Sequence, residues 1–297
     1  MIAARATRRR LLQCTAFGAL AAAVRLAAGE ETSPSKRRVK LSICKPRYLK
    51  VPLDEMCRIV KDLGFVSMEL VEVEDLPTLK KHGLQAAAVR FPAVKGPNGE
   101  EVGRMVHAFN RPEFHDLLAK AYEPVIRAVG EFGGPHVMCF SGARQGMDDE
   151  VGWKHCTAGL QRLTPVAEKH GVTLLMELLN SKITHPDYFA DHTAWGVELV
   201  KRVDSPHFRL LYDIFHMQIM EGNVIDTIRA NHEYIAHYHA AGVPGRHEID
   251  DTQELNYSAI VRAIMDTGYQ GYIGMEFSPT RKDPIESLRQ AIKICDV

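Results

Sequence analysis

The sequence predicts an α/β protein built as a single closed (β/α)₈ barrel. From residue 39 to the end of the chain, apolar runs of strand length alternate with longer stretches that have helical periodicity. Eight such strand-helix units fit into residues 39–297, which is the size and order typical of a (β/α)₈ barrel. A doubly wound open sheet is the alternative, but no Gly-x-Gly-x-x-Gly motif follows the first strand.

The predicted strands are rich in Val, Ile, Leu and aromatic residues and are bounded by Gly, Pro or polar residues. In chain order they span residues 39–44, 67–71, 84–89, 136–140, 172–178, 208–212, 235–239 and 271–277. A long segment that contains Gly and Pro, residues 90–110, follows the third strand. Because long irregular loops are usually functional, we expect this segment to act as a lid.

A predicted helix follows each strand, and Gly or Pro marks several of the helix boundaries. The helices span residues 52–63, 76–82, 111–132, 148–169, 187–202, 224–231, 256–267 and 284–295. Pro52 suits a first helical turn, and Gly64 ends that helix. Pro124 falls inside the third helix, which it should kink or divide because it cannot donate a backbone hydrogen bond.

The charge of the chain is balanced as a whole but not along its length. It has 37 basic and 37 acidic residues, and the first 29 residues contain five arginines and no acid. Removing those five leaves 32 basic against 37 acidic residues, which argues against a nucleic-acid partner because such a partner requires a basic face. The six cysteines show no paired spacing, so we expect those beyond residue 29 to be small buried hydrophobic residues.

Residues 1–29 have the features of a twin-arginine export signal. The sequence Thr-Arg-Arg-Arg-Leu-Leu-Gln at 7–13 leads into an apolar, Ala-rich stretch at 11–24, and small residues follow at 27–29. The apolar stretch is too short for a membrane-spanning helix, so we expect no stable membrane anchor. Residues 30–38 read as a linker and 39–297 as the barrel domain. We therefore expect a periplasmic protein; a basic extension on a cytoplasmic protein is the alternative.

Four potential metal ligands stand at the C-terminal ends of the last four predicted strands: Glu177, Asp213, His239 and Glu276. In a barrel these strand ends meet at one face, where active sites lie. A carboxylate at the end of a buried strand is unfavourable unless a metal, a cation or a hydrogen bond receives it. Three carboxylates and one imidazole suit Mn²⁺ or Mg²⁺, and also Co²⁺. The alternative is that Arg, Lys or backbone groups satisfy them individually.

Two further residues are candidates for substrate binding. His216 follows Asp213 by three residues and is expected to turn back over the barrel mouth. Arg246 follows the seventh strand and can grip a substrate carboxylate or phosphate with its forked guanidinium. A capping or core histidine and a surface salt bridge are the respective structural alternatives. Position after a strand also makes weaker candidates of Glu69, Arg90, Asn180 and His185.

Several segments resemble the hydroxypyruvate isomerase family, a group of xylose-isomerase-like barrels related to the ketose epimerases. They are LLYDIFHMQIMEG at 210–222, VPGRHE at 243–248, ELNY at 254–257 and GYQGYIGME at 268–276. The resemblance implies that Glu177 and Glu276 are metal ligands and acid/base groups on opposite sides of the substrate. It also implies that Asp213 and His239 complete the metal site, and that His216 and Arg246 hold substrate oxygens.

The expected reaction is therefore a metal-dependent isomerisation of a small α-hydroxycarbonyl compound through an enediolate, with hydroxypyruvate to tartronate semialdehyde as the leading example. Two positions separate this chain from its apparent relatives. His239 stands where hydroxypyruvate isomerases usually carry Gln and the epimerases carry His, and Ile183 stands where the epimerases often carry an acid. The alternatives are a ketose epimerase at the same site, a non-catalytic periplasmic sugar-binding protein, and a metal-dependent nuclease on the same scaffold.

Overall fold

The computed structural model describes residues 39–297; the predicted export signal and linker lie outside the described residues. Seven parallel strands form one curved sheet, and two further strands form a short antiparallel pair in the 90–110 segment. The strands are β1 (Lys40–Cys44), β2 (Ser67–Glu69), β3 (Val94–Lys95), β4 (Glu101–Val102), β5 (His136–Cys139), β6 (Thr173–Glu177), β7 (Phe208–Asp213), β8 (Ile235–Ala240) and β9 (Tyr272–Met275). Their order in the large sheet is β2-β1-β9-β8-β7-β6-β5.

Residues 84–89 close this sheet into a ring. Single bridges join Gln85 to Ser67 on one side and Val89 to Val137 on the other, so the predicted third strand takes its place between β2 and β5. It is not a regular strand, because side chains bind the backbone groups of Ala87. The Ala87 N–H donates to Ser67 Oγ at 2.8 Å, and His136 Nδ1 lies 2.9 Å from the Ala87 carbonyl oxygen. The eight-stranded (β/α)₈ barrel predicted from the sequence is confirmed.

Ten α-helices are found among residues 39–297, and most of them pack outside the ring of strands. They are α1 (Leu53–Asp62), α2 (Leu76–Lys81), α3 (His115–Phe132), α4 (Asp149–Gln161), α5 (Thr164–His170), α6 (Thr193–Val203), α7 (Ile214–Met220), α8 (Val224–Asn231), α9 (Tyr257–Asp266) and α10 (Pro284–Cys295). Short 3₁₀ turns occur at Arg47–Leu49, Val73–Asp75, Pro112–Phe114 and His232–Tyr234. None of the ten helices is long and apolar enough to cross a membrane.

Three helix predictions need correction. The helix expected at 148–169 is divided into α4 and α5, because Pro165 lacks an N–H and its ring would clash with the carbonyl four residues earlier in a continuous helix. The helix expected at 187–202 begins only at Thr193, since Asp187 has a φ of 68° and lies in the preceding loop. Pro124, by contrast, does not divide α3, which runs through it as one helix.

The helix α7 was not predicted, although its start is directly relevant to the site. Asp213, the last residue of β7, is also the N-cap of α7, and its Oδ1 accepts a hydrogen bond from the His216 N–H at 3.1 Å. The other Asp213 oxygen, Oδ2, therefore remains available to the barrel mouth. This arrangement places His216 one helical turn above the end of β7, within reach of the same mouth.

Candidate metal centre and substrate cavity

The structure brings together all four predicted ligands. One donor atom each of Glu177, Asp213, His239 and Glu276 lies within 4.8 Å of the other three. His239 Nδ1 is 2.7 Å from Glu276 Oε2 and 3.4 Å from Glu177 Oε1. The side chain of Glu276 is 23 % exposed, while those of the other three are almost fully buried, so the cluster opens to solvent on the Glu276 side.

The protonation of the two glutamates differs because their neighbours differ. Burial raises the pKa of Glu177 to about 7, assisted by the negative charge of Glu276 and opposed by His239. Burial acts on Glu276 in the same direction, but Arg246 and His239 outweigh it and lower the pKa to about 2. Without a cation, Glu276 is therefore ionised at neutral pH, while Glu177 is partly protonated.

The four residues fit a divalent cation by charge and by unused lone pairs. Glu276 Oε2 and His239 Nδ1 are both buried, and neither makes a hydrogen bond of good geometry, although Arg246 Nη2 lies 2.6 Å from that oxygen. When ionised, the three carboxylates exceed the single guanidinium of Arg246 by two negative charges, which one divalent cation would balance. Oxygen-rich sets with one imidazole suit Mn²⁺ or Mg²⁺. Among residues 39–297, this cluster is accordingly the best candidate for a metal centre.

Arg246 lies at the edge of this cluster, and its contacts differ from those expected. Its Nη2 is 2.9 Å from Asp213 Oδ2 and 2.6 Å from Glu276 Oε2, and its Nε donates to the Glu276 carbonyl at 3.2 Å. The guanidinium thus already binds two carboxylates of the protein. Its remaining nitrogen, Nη1, is 3.2 Å from His216 Nε2, so the two predicted substrate-binding residues are neighbours.

The hydrogen on His216 is placed by Asn180. Asn180 Oδ1 accepts the backbone N–H groups of Ile183 and Thr184 at 3.1 and 3.0 Å, which fixes the orientation of the amide. Its Nδ2 and its backbone N–H then approach His216 Nδ1 at 2.7 and 3.1 Å. Burial lowers the pKa of His216 to about 4, so the ring is neutral at pH 7 and carries its hydrogen on Nε2.

A cavity of about 660 Å³ opens in front of this cluster. Its floor includes Glu177, Glu276 and Arg246, and His185 also lines it. The 90–110 segment borders the same cavity, as expected for a lid, although whether it closes stays a prediction. Apolar side chains complete the walls: Leu70, Phe91, Met105, Met138, Phe140, Leu179, Met275 and Phe277.

One part of the cavity wall is rich in cations. Lys45, Arg47, Arg90 and Arg104 line it, and we refer to these four residues as the cationic wall. Arg90 and Arg104 lie against the Phe91 ring, with guanidinium carbons 5.2 and 5.8 Å from its centroid.

The acids that pair with the cationic wall do not line the cavity. Asp75 pairs with Lys45, Glu101 pairs with Arg104, and Glu72 is shared by Arg47 and Arg90. Four cations therefore face three acids, and Arg104 Nε is buried without an acceptor. This part of the cavity wall consequently carries one more positive than negative charge.

Sequence reasoning missed several residues around the cluster. Cys44 Sγ lies 3.8 Å from His239 Nε2, and Glu69, considered only weakly, lies on the same side of that ring. His237 could have been found, because residues two apart in a strand share a face and His237 precedes His239 in β8. Lys45 and Arg104 lie in loops and Arg47 begins a 3₁₀ turn, and at none of these positions does the sequence give a comparable signal.

Comparison with known proteins identifies the family. The profile of the xylose isomerase-like TIM barrels matches residues 57–296. The chain belongs to that family. The match covers most of the barrel and all four residues of the candidate metal centre, so the family-level resemblance noted in the sequence is confirmed.

Several curated relatives carry the name "Putative hydroxypyruvate isomerase", among them a human and a zebrafish protein. The human protein is 28 % identical over 238 residues, 77 % of this chain and 86 % of its own length. The zebrafish (Danio rerio) protein is 42 % identical over 120 residues, only 40 % of this chain and 44 % of its own length. A 2-oxo-tetronate isomerase from Haemophilus influenzae is 26 % identical over 78 % of this chain and 90 % of its own length.

Solved structures of the same fold include proteins with different names. A Brucella melitensis protein described as an AP endonuclease of family 2 superposes with a TM-score of 0.72 at 26 % identity, covering 84 % of this chain and 96 % of that one. A 3-keto-D-glucoside 4-epimerase from E. coli superposes with a TM-score of 0.69 at 20 % identity, covering 86 % and 98 %. The second likeness concerns the fold alone.

Proposed function

We propose that this protein is a metal-dependent isomerase that moves a proton between adjacent carbons of an α-hydroxycarbonyl acid, with hydroxypyruvate as the leading substrate. The main support is that Glu177 and Glu276 lie within one buried cluster of four cation ligands and both line one cavity. The names of the human and Haemophilus influenzae relatives favour the same class of reaction. A cation held by Glu177, Asp213, His239 and Glu276 would polarise the substrate's carbonyl and hydroxyl oxygens.

The protein's own residues supply the proton transfers. An ionised glutamate takes a proton from the hydroxymethyl carbon of hydroxypyruvate, which leaves an enediolate. A protonated glutamate then gives a proton to the former carbonyl carbon, while the hydroxyl proton ends on the oxygen of that carbon. The product is tartronate semialdehyde, with the same atoms as the substrate. Glu177 and Glu276 suit these roles because both carboxyl groups line the cavity beside the candidate metal centre.

His216 and Arg246 are placed to hold substrate oxygens. His216 presents an Nε2–H to the barrel mouth, where its nearest polar neighbour, Arg246 Nη1, is also a donor. Two donors that face each other at 3.2 Å do not satisfy each other, and Asp213 Oδ2, a carboxylate oxygen that already binds Arg246, is 3.6 Å from His216 Nε2. A carbonyl or enediolate oxygen between them would accept from both, so the contact favours a substrate with an oxygen at this point.

The cationic wall favours an acid over a neutral ketose. Since Arg246 is already paired with Asp213 and Glu276, the sequence-based idea that it alone grips the substrate carboxylate requires revision. Lys45, Arg47, Arg90 and Arg104 give this wall one positive charge beyond its three acids, which would help to offset the desolvation of a carboxylate bound there. The description of the Brucella melitensis structure favours the nuclease alternative, but the positive charge here lines a cavity rather than an open groove for a phosphate backbone.

Solvent-deuterium incorporation tests the proposal. The full-length protein, stripped with EDTA and reloaded with Mn²⁺, is incubated in heavy water with hydroxypyruvate or with D-fructose. We expect deuterium in hydroxypyruvate and tartronate semialdehyde, and at least a 1000-fold loss in Glu276→Gln, on the order of what an essential acid/base group contributes. Exchange only into the ketose would replace the proposal with epimerisation, and exchange into neither would favour a binding protein.

A further inference from the structure

A second buried cluster lies beside the candidate metal centre, inside the barrel. It consists of Glu69 at the end of β2 and of His237 and His239 on β8, all three fully buried. Glu69 Oε2 is 2.5 Å from His237 Nε2 and 3.5 Å from His239 Nε2. No described residue gives either Glu69 oxygen a hydrogen bond of good geometry, and these two imidazoles are the only basic groups among the described residues within 4 Å of the carboxylate. The carboxylate therefore depends on the two histidines for its stabilisation.

The strands are arranged so that these side chains can meet. His237 and His239 are two residues apart in β8 and thus point to the same face, the interior of the barrel. Gly274 of β9 pairs with Ser42 on one side and with His239 on the other. A Cβ at Gly274 would overlap Glu69 Oε1 and lie 2.9 Å from His239 Cδ2. The absence of a side chain at position 274 leaves the space that Glu69 occupies.

The two nitrogens of His239 face different surroundings. Nδ1 points to Glu276 and Glu177, at 2.7 and 3.4 Å, whereas Nε2 points to Glu69 and to Cys44 Sγ, at 3.5 and 3.8 Å. A neutral imidazole has one hydrogen, and only the nitrogen without it can bind a metal. A thiol is a weak acceptor, so Glu69 is the stronger partner for a hydrogen on Nε2.

We propose that Glu69 is a positioning residue that accepts the Nε2–H of His239 and thereby leaves Nδ1 free to bind the cation. His237 acts in support, because its Nε2 approaches the same carboxylate oxygen, Oε2, at 2.5 Å. A carboxylate behind a metal-binding imidazole fixes both the hydrogen and the ring plane and strengthens the ligand. The inference rests on the metal centre of the proposed function, and it assigns a role to two residues outside that centre.

Equilibrium titration of the metal-free protein with Mn²⁺ tests this role. Glu69→Met removes the acceptor, and we expect about 10- to 100-fold weaker Mn²⁺ binding. Glu69→Gln keeps an oxygen acceptor and should recover part of that loss, whereas a purely space-filling role predicts equal affinities for both variants. Cys44→Ala is the matched control, because it removes the competing sulfur near the same nitrogen. Its Mn²⁺ affinity should stay within a factor of three of that of the unaltered protein, a difference of about 0.7 kcal/mol in binding free energy.

A second measurement detects the hydrogen of His239 directly and does not depend on the Glu69 variants. In the ¹H–¹⁵N spectrum of the uniformly labelled, Mg²⁺-loaded protein, we expect His239 to carry its hydrogen on Nε2, with the resonance assigned by its loss in His239→Gln. A hydrogen on Nδ1, or Mn²⁺ affinity unchanged in a folded Glu69→Met variant, overturns the role of Glu69 alone. Failure of the unaltered protein to bind Mn²⁺ would instead overturn the metal centre and, with it, the proposed function.

Discussion

The ring of His216 lies between Asn180, whose amide and backbone nitrogens approach Nδ1, and Arg246, whose Nη1 is 3.2 Å from Nε2. Because Nδ1 accepts hydrogen bonds from Asn180, the hydrogen of the neutral ring lies on Nε2, the nitrogen that faces Arg246. Burial lowers the pKa of His216 to about 4, and the neutral ring acts as a hydrogen-bond donor rather than as a charge. At the scale of single residues, function depends on which ring nitrogen of His216 carries the hydrogen.

Replacing Asn180 by Asp tests this assignment. A carboxylate beside Nδ1 favours the protonated ring, so the pKa of His216 should rise from about 4 towards neutrality. Activity that needs the neutral ring would then be lost at a higher pH as the solution is acidified. We expect the acid limb of the kcat–pH profile to move up by at least one pH unit. Ile183→Ala, an exposed change in the same loop, is the control and should leave the profile unaltered. An unaltered profile in Asn180→Asp would contradict the placement of the His216 hydrogen on Nε2.

The positions of the four candidate metal ligands were easier to predict than the contacts of the residues around them. Glu177, Asp213, His239 and Glu276 each end an apolar run, a local feature that the sequence displays, and barrel geometry then places those ends together. The partners of Arg246 could not be predicted in this way. They depend on the positive-φ backbone of Arg246 itself and on how its loop folds back towards Asp213 and Glu276.

Helices and strands were predicted best where particular residues mark their boundaries. The helix at 284–295 was predicted with its observed bounds because an Asp N-cap and a Pro in the first turn mark its start. The third strand was placed correctly but proved irregular, since Ser67 and His136 bind the backbone of Ala87. The short helix α7 was missed because seven residues show too little periodicity to separate a helix from a turn.

Glu248 joins two loops at the barrel mouth. Its carboxylate accepts hydrogen bonds from the N–H and hydroxyl groups of Thr280 and from the hydroxyl of Ser287, at 2.8 to 2.9 Å. Burial would raise the pKa of Glu248, but these donors outweigh it and lower the pKa to about 2. A carboxyl group whose pKa is lower in the folded than in the unfolded state stabilises the fold above its unfolded pKa of 4.5. That contribution is lost as the pH falls towards 2.

Glu248→Gln should therefore lower the free energy of unfolding at pH 7 by about 2 kcal/mol, since the amide keeps one acceptor oxygen. Between pH 4.5 and pH 2 the stabilities of the two proteins should converge. Denaturant unfolding followed by circular dichroism across this range measures the difference. Glu254→Gln makes the same charge change at an exposed position and should differ little from the unaltered protein. A constant difference down to pH 2 would contradict the role assigned to Glu248.

At the scale of the whole molecule, closure of the strands into a ring brings residues from separate strands together in one site. Strands β6, β7, β8 and β9 are consecutive neighbours in the sheet, so their C-terminal residues share one mouth. The cationic wall comes instead from the β1 loop and the 90–110 segment, across residues far apart in the chain. The barrel could be predicted from periodicity, but the cavity depends on how these loops pack.

We expect one divalent cation to bind among Glu177, Asp213, His239 and Glu276 at the mouth of the barrel. The most direct test is an anomalous difference map from crystals of the metal-free protein soaked in Mn²⁺. The expected result is a single strong peak about 2.0 to 2.3 Å from His239 Nδ1 and from oxygens of Glu177, Asp213 and Glu276, since hard divalent cations bind such donors at about these distances. A peak at Glu69 and His237 instead, or no peak with all four side chains ordered, would contradict it.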